Sequence, residues 1–238
     1  MRKSARRFKR RRRIRMQRKR YDSLDKKVAM EFIDSLSYPY CYLEFETASS
    51  EILRLEKSCN HPVPFQYSLS IERRDSVAVE DYDFLAQYGV DPREELTRCL
   101  LEQIPEGALV IGDQLFVTGV LRGLAEYSPQ HAQQIEQIIA STRDLLSPFR
   151  TSPVFRWKIK CGYSPQGVLN MFRYRTTKKD PNIFPRCFAV DLYSMMSNVD
   201  CAHEEDIRDL SRVYGQLKVA AMMLLLRCLK VFDKKYGR

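Results

Sequence analysis

The chain has 238 residues, 44% of them hydrophobic and 11% aromatic, enough to bury a full core and too apolar for a disordered polypeptide. Its formal charge of +10 is confined to the start: residues 1–20 hold thirteen Lys or Arg and no acid, while residues 21–238 carry 27 basic and 30 acidic side chains, a net −3. Seven scattered cysteines without Cys-x-x-Cys spacing argue against a disulfide framework and for reduced thiols in a cytoplasmic compartment.

The first 22 residues repel one another too strongly to fold alone and are expected to form a disordered basic arm. Its densest block is Arg10, Arg11, Arg12 and Arg13, flanked by Arg6, Arg7 and Arg15. Such a segment would grip the phosphate backbone of DNA or RNA with steep salt dependence and little sequence choice. Arginine outnumbers lysine, which favours bidentate phosphate contacts, whereas Phe8 alone is too little for a stacking platform. The competing reading is that the segment is a remnant. It lacks the apolar core of a signal peptide, and the apolar run Ala220 to Leu226 is interrupted by Arg227 and Lys230, so no membrane span is expected.

Residues 23–238 are expected to form one domain. Apolar spacing at Val28, Phe32, Ile33 and Leu36 predicts a short helix over Leu24 to Leu36. A buried strand follows at Tyr40 to Phe45, and Glu44 and Glu46, two apart, then face the same way at its C-terminal end. Alternation over Gln66 to Glu72 predicts a second strand, and Val77 to Val79 a third. Asp91, Pro92, Glu94 and Glu95 open a helix that runs to Ile104.

Ala108 to Ile111 reads as a short, fully buried strand, followed by helices over Leu115 to Glu126 and Pro129 to Leu146. Phe155 to Ile159 could be a strand, Ser164 to Phe172 a helix, and Arg173 to Asn198 the least regular part. A long helix from about Glu204 to Phe232 closes the chain, its acidic start suiting the helix dipole. This order implies an α/β fold, a mixed sheet with helical cover. Cys59/His61 and Cys201/His203 lack the spacing of a common zinc module, so core cysteines and loop histidines are the simpler reading.

The short motifs, in their order, resemble the DEDD exonuclease-type domain of an uncharacterised bacterial family with the ribonuclease H-like fold, often downstream of a RecB-like nuclease domain. The matching pieces are Tyr38-Pro39, Phe45-Glu46-Thr47, Pro64 to Leu69, Asp91-Pro92-Arg93-x-Glu95-Leu96, Asp144-Leu145-Leu146-x-Pro148-Phe149-Arg150, and Tyr163-Ser164 with Val168-Leu169. The resemblance implies four carboxylates around two Mg²⁺ or Mn²⁺ ions. In the first motif, Asp-Phe-Glu-Thr, Glu44 stands for the Asp and Glu46 keeps the Glu. In the second, Phe116 is kept and Val117 occupies the acidic position; in the third, Tyr214 is kept and Lys218 stands where the Asp belongs.

In two-metal hydrolysis the carboxylates hold cations that activate water and stabilise charge on the transferring phosphate. An ammonium about 4 Å from Mg²⁺ would repel it by on the order of 8 kcal/mol at an effective dielectric of 20. The expectation is therefore a degenerate, inactive or weak exonuclease-type domain that needs no cofactor, with Glu44 and Glu46 as remnants and Lys218 neutralising them. One alternative is an active metal-dependent 3′–5′ exonuclease that recruits Asp113 as a substitute ligand, although an Asp there also suits a helix cap. Another is an RNA-associated structural protein.

Overall fold

The structure, a computed structural model, describes residues 24–53, 55, 62–74, 76, 78–150, 188–196 and 201–236. The basic arm, Cys59 and His61, and the elements expected at Phe155 to Ile159 and Ser164 to Phe172 lie outside the described residues. Two compact units emerge: a larger one from residues 37–144 and 183–222, and a smaller one from residues 1–36, 145–182 and 223–238.

A five-stranded mixed sheet organises the larger unit. Its strands are β1 (Tyr40–Ala48), β2 (Val63–Glu72), β3 (Glu80–Leu85), β4 (Leu109–Gly112) and β5 (Thr142–Asp144), in the order β3-β2-β1-β4-β5. β2 runs antiparallel to β1 and β3, while β4 is parallel to β1 and β5 to β4. Only β2 is reversed.

Strand alternation gives the sheet two different faces. Cys41, Leu43 and Phe45 of β1 and Tyr67, Leu69 and Ile71 of β2 point into one apolar cluster. Helices α2 (Arg93–Gln103), α3 (Gln114–Tyr127) and α4 (Ala132–Ser141) supply Leu96, Leu100, Val117, Val120, Leu121, Leu124, Ile135 and Ile138 to it. The other face of the same strands is polar: Glu44 lies opposite Ser68, Glu46 opposite Gln66, and Ser68 opposite Asp83. A second cluster gathers around Val63, Phe65, Leu85 and helix α6 (Phe188–Met195), where the Tyr193 ring sits 4.8 Å from that of Phe65.

The α/β class, the mixed sheet with helical cover and the long final helix α7 (Cys201–Tyr236) agree with the sequence. Three expectations need correction. β1 does not end at Phe45 but continues to Ala48, so Glu44 and Glu46 lie within the strand rather than at its mouth; a register shift follows between Glu46 and Thr47. The third strand is Glu80–Leu85; of the stretch expected there, Ala78 and Val79 are not strand and Val77 lies outside the described residues. Its acids are no obstacle, because Tyr82 and Phe84 pack on the apolar cluster while Asp81 accepts a bond from Ser70 and Asp83 pairs with Arg212.

The helix expected to reach Leu146 stops at Ser141, and Thr142–Asp144 becomes edge strand β5. Thr142 is β-branched and buried, its hydroxyl donates to Ile138 O at 2.8 Å, and its carbonyl accepts from Gln114 Nε2 at 3.0 Å. These contacts turn the chain out of the helix into the sheet.

In the smaller unit, helix α1 (Lys26–Asp34) is capped by Asp25, whose carboxylate accepts from Lys27 N at 3.0 Å and Val28 N at 3.3 Å. Ala29 and Phe32 on its inner face are buried, as are Leu145, Leu146 and Phe149 around the one-turn helix α5 (Ser147–Arg150). Among the described residues no helix is long and apolar enough to cross a membrane.

Candidate functional site

Helix α7 lies over the polar face of the sheet, and each of its contacts has a chemical cause. Over β3, the Arg208 guanidinium donates to Leu85 O at 3.0 Å and Arg212 pairs with Asp83 at 3.3 Å. Over β2, the Gln66 amide donates to Ser211 O at 2.8 Å. Gly215 follows one turn later, where a Cβ would meet the Ser68 hydroxyl oxygen at 2.0 Å, so only glycine lets the helix backbone come this close. The next side chain on the same face is Lys218, delivered over β1.

Lys218 Nζ stands 2.5 Å from Glu44 Oε1 and 2.6 Å from Glu46 Oε1. The three side chains are well shielded, at 22%, 12% and 10% exposure respectively, so the pairing belongs to the interior rather than to a solvated surface. The Tyr214 ring, itself packed on Phe188 at 5.3 Å, presents its centroid 5.5 Å from the ammonium and adds a cation–π contact.

Charge follows from this geometry. Burial alone would pull the Lys218 pKa down, but the charges of Glu44 and Glu46, and the hydrogen bonds to both, outweigh it and hold the ammonium above the ordinary lysine value. Burial pushes Glu46 up, Lys218 draws it down, and the neighbouring Glu44 charge raises it again; the outcome is a raised carboxyl. The two partners thus shift in ways that seem opposed, one toward and one away from the charged form. Stoichiometry explains it: two carboxylates share one cation, so the triad retains a residual negative charge, and burial leaves Glu46 raised despite the ammonium.

A divalent cation does not fit these residues as they stand. The ammonium already touches the oxygens that such an ion would use, and among the described residues no group of three or more His, Cys, Asp or Glu is arranged to hold a metal. Asp113, the candidate substitute ligand, stands at the N-terminal boundary of α3 and does not gather with Glu44 and Glu46 in such a group. Val117 is fully buried in the apolar cluster that holds Leu43 and Phe45, on the sheet face away from the two glutamates.

Of the residues singled out from the sequence, the fold therefore brings together Glu44, Glu46 and Lys218 and leaves Asp113 and Val117 apart. Gln66, Ser68, Ser211 and Gly215, which dock the helix, were not singled out. Gly215 carried the readable signal: a glycine inside a 36-residue helix, one turn before a charged residue, marks close backbone approach.

The family described as Domain of unknown function (DUF2779) matches residues 41–164, just over half of the chain and, but for Tyr40, the stretch from β1 to β5. The protein belongs to this family. No curated protein and no solved structure matches the chain. The matched stretch contains both glutamates, whereas Lys218 comes from the C-terminal helix beyond it.

Proposed function

We propose that this family member is a ribonuclease H-like, DEDD exonuclease-type domain that has given up two-metal hydrolysis and contacts nucleic acid through its Arg-rich start. The observation that carries the first half is the Lys218 ammonium bonded to both remnant carboxylates. A positive charge at the centre of a would-be metal site is incompatible with the dication that phosphodiester cleavage needs there. The strand order, with β2 alone reversed, is consistent with the fold that the motifs imply. The second half rests on the thirteen cations of residues 1–20.

Three measurements test this. Melting with and without Mn²⁺ should leave the midpoint of the full chain unchanged, and labelled single strands should remain intact with Mg²⁺ or Mn²⁺. Metal-dependent release of nucleotides that disappears in Glu46→Gln would overturn the reading in favour of a working 3′–5′ exonuclease. Gel shifts with and without residues 1–20, at low and high salt, test the nucleic-acid contact; equal binding without the arm would remove it.

A further inference from the structure

Helix α7 carries more apolar surface than the fold buries. Its inner side holds Ile207, Ser211, Tyr214, Val219 and Met222 against the larger unit. A second stripe runs along its outside: Leu210, Leu217, Leu224 and Val231 recur every seventh residue, with Val213 and Ala220 between them. Four of these are large and open to solvent, with Leu210 41%, Val213 50%, Leu217 50% and Val231 61% exposed. A seven-residue apolar repeat is the pattern by which one helix packs along another. Scattered surface hydrophobics need no explanation, but a periodic row of them does.

The charges around the stripe choose the occupant. Along the first turns of α7 the ionic groups are matched within the chain: Arg208 with Glu204, and Arg212 with Asp83, Glu205 and Asp209. Asp206 and Arg227 are both exposed and make no such contact among the described residues. They lie near opposite ends of the stripe and carry opposite signs. A parallel pair of α7 helices would set Asp206 on Asp206 and Arg227 on Arg227. An antiparallel pair sets each Asp206 beside an Arg227.

We propose that the outer face of α7 is an interface between two copies of this chain, packed antiparallel about a two-fold axis. In the register that places Leu217 against Ala220 of the second copy and Val213 against its Leu224, Asp206 falls level with Val231 and Leu210 with Arg227 of that copy, so Asp206 and Arg227 stand one turn, about 6 Å, apart along the axis, within reach of the long arginine side chain. Each end of the apolar seam is then closed by an ion pair, and the surface is self-complementary as an isologous dimer requires. From Asp206 to Val231 the stripe is about 38 Å long at 1.5 Å per residue, and a helix contact is about 10 Å wide. That gives roughly 800 Å² over both copies, below the standard size of specific interfaces, so the pair is a weak, reversible one. The inference does not depend on the proposed loss of catalysis.

Sedimentation of the full chain from about 1 µM to about 200 µM, in salt high enough to suppress contacts of the arm, is the test. A monomer–dimer equilibrium is expected. Leu217→Glu should be monomeric throughout with an unchanged melt, and Val213→Lys is the second such variant should the first fold poorly. Asp206→Arg should weaken the dimer about tenfold, two exposed pairs turning from attraction to repulsion, and Asp206→Arg with Arg227→Asp should restore it. A monomer at every concentration, or a dimer indifferent to both apolar substitutions, overturns the proposal. Failure of the double charge exchange to restore association overturns the antiparallel register.

Discussion

A methyl group placed on Gly215 would lie 2.0 Å from the hydroxyl oxygen of Ser68 and 3.2 Å from its Cβ, so β2 and α7 meet here without room for any side chain on the helix. The register of β2 against β1 puts Ser68 opposite Glu44. Close docking at Gly215 therefore sets the height at which Lys218, one turn further on, meets the glutamates.

Gly215→Ala is the direct test of that docking. Alanine inside a helix is ordinarily worth about 1 kcal/mol over glycine. Here overpacking costs about 1–3 kcal/mol and should win. The urea midpoint is expected to fall, and Ser68→Ala should recover part of the loss, giving a coupling in a double-mutant cycle. A higher midpoint in Gly215→Ala alone would show that the helix has slack at this point.

The seam between β2 and α7 holds more polar atoms than it satisfies. The hydroxyls of Ser68 and Ser211 and the Gln66 carbonyl oxygen are buried without a hydrogen-bond partner among the described residues. An unpaired buried hydroxyl is a cost that its removal relieves. Ser68→Ala and Ser211→Ala should each be neutral or stabilising, by up to about 1 kcal/mol. A loss of more than that in urea melts would mean that both hydroxyls are satisfied in solution.

Lys218→Met should destabilise the protein in a pH-dependent way. A raised ammonium stabilises fully below the lysine value of an unfolded chain, about 10.4, and that contribution disappears only as pH rises through the higher folded value. At neutral pH the wild type has all of it. Glu46 works in the opposite sense: its carboxyl binds a proton more tightly folded than unfolded, so its effect is most favourable below about pH 4.3 and worsens as pH rises through the folded value. Without Lys218 the counter-charge goes, the Glu44 charge still raises Glu46, and two shielded carboxylates are left together. The loss should be about 3 kcal/mol at pH 8 and clearly smaller at pH 5, read from urea melts at both. An equal loss at the two pH values would mean that Lys218 contributes packing rather than charge.

How much of this was readable in the sequence depends on range. The apolar run of β1, the alternation of β2, the apolar spacing of α1 and the Pro92, Glu94 and Glu95 start of α2 are local, and they located those elements to within a few residues; the cap expected at Asp91 falls instead on Pro92. β3 was misplaced because Asp81 and Asp83 look like loop residues until Ser70 and Arg212, which satisfy them, are in view. β5 was hidden because the chain leaves helix for strand at Thr142 through bonds to Ile138 and Gln114, the latter 28 residues away in sequence. The meeting of Lys218 with Glu46 spans 172 residues, and Glu44 comes with it. No local rule could supply it; the order of motifs did, by placing all three at one family position. The same reasoning set Val117 beside them, and there the local signal was better: Val117, Val120, Leu121 and Leu124 already spell the apolar stripe of α3.

Val117→Glu separates those two views of the position. If Val117 fills the space of a lost metal ligand, a carboxylate there would point at Glu44 and Glu46 and, with Lys218→Asp, rebuild a cation site. The packing argues otherwise. Val117 is fully buried among Leu43, Phe45, Leu121 and Leu124, and a Cβ on Gly112 would already touch its Cγ2 at 3.1 Å and Leu43 O at 2.9 Å. An ionised side chain in that cluster has no partner, so the carboxyl must either stay protonated or push β1, β4 and α3 apart. The single variant should lose more than about 3 kcal/mol in urea melts and lose less at acid pH, where the carboxyl is neutral. With Lys218→Asp added, Mn²⁺ should not recover the midpoint. Recovery by the metal would instead mean that α3 can turn this residue toward the glutamates and complete a cation site with them.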